Sequence, residues 1–115
     1  MSNKPVYFHN PRCSKSRQGL DLLNRHNFDV TIKEYLNEAL TENELKDVVS
    51  KLGKRPKAII RKKESAELGI DFENLDDDAC IQKIIEHPKI LERPILITSK
   101  RAALGRPPEA LLDII

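Results

Sequence analysis

Cysteine is scarce in this chain, with Cys13 and Cys80 the only two among 115 residues. Two are too few for a disulfide framework. No export-signal pattern precedes the first apolar run, so the expected setting is a reducing cytoplasm. His9, His26 and His87 show no ligand spacing with each other or with the cysteines, which argues against a bound metal. Aromatic residues make up 4% and do not interleave with basic ones, so Arg61-Lys62-Lys63 reads as a solvated face, not a nucleic-acid surface. No apolar stretch reaches the length of a membrane span. The net charge is only +2, which leaves any electrostatic function to local clustering. Repeats, low-complexity tracts and linkers are missing too, and the length suits one domain over residues 1–115.

What is present is an apolar fraction of 39%, arranged in short periodic segments. Val6-Tyr7-Phe8 reads as a buried strand within Pro5–His9. Leu20, Leu22 and Leu23 mark the inner side of a helix from about Cys13 or Ser14 to His26, ended by Asn27 in a left-handed conformation. Val30 and Ile32 alternate with polar residues in a second strand reaching Tyr35. A β-α-β order with a crossover helix makes the two strands parallel.

Thr41 and Glu44 fit a capping box, followed by Leu45, Val48, Val49 and Leu52 at helical spacing and by Gly53. Short helical turns follow at Pro56–Arg61 and Ser65–Leu68. The acidic run Asp76–Asp78 opens a helix that carries Cys80, Ile81, Ile84 and Ile85 and stops at Pro88. Ile95–Thr98 and Arg101–Leu104 read as strands, and Pro107 or Pro108 as the start of a closing helix. The order predicts an α/β fold, a small thioredoxin/glutaredoxin-like sheet with a helical insertion over about 41–88.

Cys13 is the residue most suited to chemistry. It falls at a strand-to-helix turn, where free N–H groups and the positive end of the helix dipole favour a thiolate or a bound oxyanion. Arg12, Lys15 and Arg17 add positive charge, which lowers a thiol's pKa. Ser16 stands where a dithiol site has its second cysteine; a hydroxyl can hydrogen-bond a thiolate but cannot form a disulfide, so electrons must come from outside. A phosphatase-type loop needs an arginine six residues after the cysteine, and that residue is Gly19. His9, at the strand end, either stabilises the thiolate as an imidazolium or faces water. Cys80 reads as core. Arg93 and Arg106 stand beside predicted strand or helix ends, and Arg61 follows Ala58-Ile59-Ile60. Guanidinium groups grip tetrahedral oxyanions in bidentate fashion, though most arginines are simply solvated.

Four ordered stretches carry a family resemblance: Tyr7–Arg17, Ala58–Lys62, Leu91–Ile95, and Leu104–Glu109 with Leu112–Ile115. Together they resemble the ArsC family, arsenate reductases of the glutaredoxin-coupled type. The resemblance implies a mixed four-stranded sheet and a site in which Cys13 is the nucleophile, His9 favours its thiolate and Ser16 lies near the sulfur. Arg61, Arg93 and Arg106 would bind arsenate and the arsenite product, with Arg17 adding charge, and Pro94 would be a cis proline beside the cysteine. No cofactor is implied as bound. Glutathione would be the co-substrate and glutaredoxin the protein partner. The alternatives are a glutathione-dependent thiol oxidoreductase with another substrate, and a Spx-like RNA polymerase-binding regulator. The latter commonly carries a Cys-x-x-Cys switch that Ser16 would break.

Overall fold

The computed structural model describes residues 4–115, and the chain divides into two compact units. One comprises the chain up to Glu38 together with Arg93–Ile115; the other is Ala39–Glu92.

The first unit is built on a four-stranded sheet ordered β2-β1-β3-β4. Strand β1 (Val6–Phe8) leads through helix α1 (Ser14–Arg25) to β2 (Thr31–Lys33), and the two strands are parallel, as a helical crossover requires. Strands β3 (Ile95–Ile97) and β4 (Ala102–Leu104) complete the sheet, with β3 antiparallel to both β1 and β4. This is the expected mixed α/β sheet. Strand β3 lies inside the sheet and all three of its residues are buried, which explains why Ile95-Leu96-Ile97 is uninterruptedly apolar.

Tyr7, Leu23, Leu96 and Leu111 form the unit's core, with Leu20, Phe28, Val30, Ala103 and Ile114 packed against them. Burying each large side chain contributes about 1.5–3 kcal/mol. The core explains two glycines. A Cβ on Gly19 would collide with the Tyr7 hydroxyl and come within 2.9 Å of Leu111, and one on Gly105 would lie 2.6 Å from Pro94. Only glycine lets α1 and the end of β4 approach Pro94 and Leu111 this closely.

The structure departs from the sequence expectation at the end of β2 and in the closing segment. Asn27 does adopt a left-handed φ of 55°, but β2 ends at Lys33 rather than Tyr35. β2 is an edge strand with one neighbour, so Ile32 remains 44% exposed, whereas Tyr35 leaves the strand and is buried, its ring 6.3 Å from that of Phe8. The closing segment Pro108–Ile114 is a 3-10 helix rather than an α-helix, and it still buries Leu111.

The second unit is helical. Helix α2 (Glu42–Leu52) carries the complete capping box: Thr41 Oγ1 accepts from the Glu44 N–H, and Glu44 Oε1 accepts from the Thr41 N–H. Gly53 closes it at φ 67°. Helix α3 (Lys62–Glu67) is short, and α4 (Asp77–Glu86) is capped by Asp76, whose carboxylate accepts the Ala79 N–H at 2.8 Å. The acidic run is therefore a helix start. Short 3-10 turns at Pro56–Ile59, Phe72–Asn74 and Pro88–Ile90 join these helices, and Ile60 bridges Leu91. Leu45, Val48, Ile59, Ile84, Ile90 and Leu91 are buried with Cys80, whose thiol points at the Phe72 carbonyl 3.5 Å away. Among the described residues no helix is long and apolar enough to cross a membrane.

Candidate functional site

The turn between β1 and α1 is held mainly by its own polar groups. The Cys13 N–H donates to the Asn10 carbonyl at 3.0 Å, and the Arg12 N–H donates to Asn10 Oδ1 at 3.0 Å. An asparagine accepting the backbone N–H two residues on is an Asx turn, which a short amide side chain can form. Arg17 Nη1 donates to the Pro11 carbonyl at 2.8 Å and ties the first turn of α1 back to the loop. Arg17 is thus a brace of the loop, besides adding charge to it.

Cys13 is the N-cap residue of α1, in extended conformation, at the helix end where backbone N–H groups are free; its side chain accepts no cap hydrogen bond. Partial burial pushes the thiol up. The backbone N–H of Ser16, the Arg93 guanidinium and the backbone N–H of Lys15 outweigh it, and the pKa falls below its ordinary value. Each of these donors favours the anionic sulfur.

Two arginines distant in sequence complete the surroundings of the sulfur. The Arg93 guanidinium favours the Cys13 thiolate, and Arg106 Nη2 stands 3.7 Å from its Sγ. The two are also joined to each other, since Arg106 Nε donates to the Arg93 carbonyl at 2.8 Å. Arg93 and Arg106 each precede a cis peptide bond, at Pro94 and Pro107. Cys13, Arg93 and Arg106 therefore form one cluster within the first unit, a thiol of lowered pKa with two guanidinium groups able to hold a tetrahedral oxyanion.

Beneath them, His9 Nδ1 and Ser16 Oγ are 2.7 Å apart, and Ser16 Oγ also accepts the Asn10 N–H at 2.9 Å. Ser16 and His9 are buried, and burial holds the imidazole below its ordinary pKa; Glu34 opposes the shift and Arg17 adds to it. The histidine is accordingly neutral at pH 7. The Ser16 oxygen has a lone pair for the Asn10 N–H and a second for a ring N–H, so the direction of the His9–Ser16 bond follows the ring tautomer. The lowered pKa disfavours an imidazolium beside the thiolate, and the buried ring contacts Ser16 rather than water. The Ser16 hydroxyl faces the histidine, and its backbone N–H is one of the groups that lower the Cys13 pKa.

Tyr7 and Asn10 are supports that the sequence motifs did not single out. Tyr7 Oη donates to the Ser16 carbonyl at 2.7 Å, fixing the residue whose N–H reaches Cys13. The available signal for Asn10 was its place before Pro11 in a turn.

Arg61 belongs to the second unit. Its Nε donates to Glu64 at 2.8 Å and its Nη1 to Glu92 at 2.9 Å. Burial works against the charge there, but the two carboxylates more than compensate and raise the guanidinium's pKa. Cys80 has a thiol pKa raised chiefly by burial and is a poor nucleophile. Among the described residues no group of three His, Cys, Asp or Glu side chains is arranged to hold a metal ion.

The chain is similar to known proteins. An arsenate reductase of Neisseria meningitidis is 45% identical over 111 residues, covering 94% of this chain and 95% of that one. A relative in Escherichia coli, 36% identical over 118 residues with 100% and 99% coverage, bears the name uncharacterized protein YfgD. The solved structure of the arsenate reductase from Vibrio cholerae superposes with a TM-score of 0.87 at 37% identity, covering 100% of both chains. Residues 8–114 match the ArsC family, and they include the whole of the Cys13 turn and both arginines beside it: the chain belongs to the ArsC family.

Proposed function

We propose that this chain reduces arsenate to arsenite through a Cys13 adduct, drawing electrons from glutathione and glutaredoxin. One observation carries the reading: a thiol favoured as thiolate stands beside Arg93 and Arg106, two cations suited to an oxyanion. The arsenate reductase names of close relatives support the choice of oxyanion.

In this reading Arg93 and Arg106 bind arsenate, joined by Arg61, and Arg17 contributes charge and holds the loop. The Cys13 thiolate attacks As(V), forming an S–As bond, and an oxygen ligand leaves as water after protonation. The N–H groups of Lys15 and Ser16 hold the sulfur oriented for attack. Ser16, fixed by His9, is a positioning residue. The glutathione thiolate then bonds to the same arsenic, and a second oxygen ligand leaves. A glutaredoxin thiolate attacks the glutathione sulfur, forming a mixed disulfide, and the electron pair of the broken S–As bond reduces As(V) to As(III). Water displaces Cys13, arsenite departs and the thiol is restored. Two thiols are oxidised to one disulfide per arsenate. Such a supply of electrons belongs in a reducing cytoplasm.

The test is arsenate-dependent NADPH oxidation, coupled through glutathione, glutaredoxin and glutathione reductase, for wild type and Cys13→Ser. Turnover in the wild type and none in the variant is expected. No turnover in either, with Cys13 becoming glutathionylated, replaces arsenate reduction with thiol oxidoreduction of another substrate.

A further inference from the structure

Beside the turn that carries Cys13, the first unit holds a cavity of about 330 Å³ lined by Asn10, Pro11, Arg12, Glu34, Leu36 and Asn37. Its volume falls in the range of roughly 300–1,000 Å³ that small-molecule sites occupy. Three of the lining residues lead directly into the nucleophile and three follow β2. Its wall bears both signs of charge, the Arg12 guanidinium and the Glu34 carboxylate. Among the described residues neither side chain is held in an ion pair, and Glu34 Oε1 accepts from Asn37 Nδ2 at 3.5 Å. Pro11 and the 41% exposed Leu36 add apolar surface.

An oxyanion has no group to meet Glu34 and is repelled by it. Glutathione matches the wall: it carries two carboxylates, one ammonium group, two peptide bonds and a short thiol arm. We propose that this cavity is the glutathione subsite, in which Arg12 binds a carboxylate of the tripeptide, Glu34 its ammonium group and Asn37 a peptide group. The assignment rests on the glutathione-dependent reading above and gives the second thiol its direction of approach, from the β2 side of the Cys13 turn. Both charged residues act on the co-substrate and not on arsenate.

The test is the affinity of S-methylglutathione, which cannot react, for the intact protein by titration calorimetry and amide NMR. Arg12→Ala and Glu34→Gln should each weaken binding about tenfold, the equivalent of one lost charged contact of 1.4 kcal/mol. Acetylating the ligand's amino group should weaken wild type similarly and leave Glu34→Gln indifferent. Shifts confined to residues other than 10–12 and 34–37, or unchanged affinity in both variants, overturn the subsite while leaving glutathione as the reductant. Turnover with dithiothreitol but none with glutathione in the wild type overturns the glutathione reading itself.

Discussion

Arg106 Nη2 lies 3.7 Å from Cys13 Sγ across 93 positions of sequence, and its Nε is anchored on the Arg93 carbonyl. The guanidinium is thus aimed at the sulfur by the same residue that gives the thiolate its second cation. An arginine held at one nitrogen loses less freedom on binding an anion with the others.

Replacing Arg93 with Met should raise the Cys13 pKa, because a hydrogen bond and a positive charge both leave the sulfur. At a pH below the new pKa the thiolate fraction is smaller, so alkylation by iodoacetamide at pH 7 slows. Rate against pH reports the shift directly. An unchanged profile places the stabilisation in the Lys15 and Ser16 N–H groups alone.

His9 should titrate below the ordinary imidazole value of about 6.5. Because the folded-state pKa is depressed, the unfolded chain takes up the proton first on acidification. Stability from this group is complete above about pH 6.5 and is lost as pH falls through the folded pKa. Nitrogen NMR of the ring gives tautomer and pKa together, and His9→Gln should flatten that part of the stability profile.

Ser16→Ala removes the partner of both the Asn10 N–H and His9 Nδ1. Leaving a buried polar group unsatisfied costs about 1–3 kcal/mol. Denaturant unfolding should show a loss of that order, and the Cys13 alkylation rate should change with it. Ser16→Thr, which restores the hydroxyl, should recover much of the alkylation behaviour if the added methyl is accommodated.

Gly19→Ala should destabilise the fold although alanine favours helices, since its Cβ has no room between Tyr7 and Leu111. Overpacking of this kind costs about 1–3 kcal/mol. A melting temperature equal to or above wild type would show that Leu111 can yield.

Arg61 is partly neutralised by Glu64 and Glu92. Glu92→Gln frees part of its charge. If Arg61 binds arsenate as proposed, the arsenate KM should fall several-fold in this variant and rise in Arg61→Ala. KM unchanged in both removes Arg61 from the substrate site.

Local chemistry was legible in the sequence. Thr41 with Glu44, Asp76 before Ala79, Asn27 and the strand-to-helix turn at Cys13 follow from interactions within a few residues, where spacing alone decides geometry. The apolar runs at β1 and β3 likewise identified strands of the sheet. Which arginines reach Cys13 was not decided locally, because Arg93 and Arg106 come to the sulfur only when β3 and β4 pair beside β1. The lowered pKa of His9 was hidden for the same reason: it depends on burial and on the charges of Glu34 and Arg17, which lie on other parts of the chain. The edge position of β2 exposed Ile32, against a pattern that reads as half-buried. Sequence set the Cys13 turn and the elements around it. Tertiary structure set the protonation, the cation pairing and the direction each donor faces, since these depend on groups that folding alone brings together.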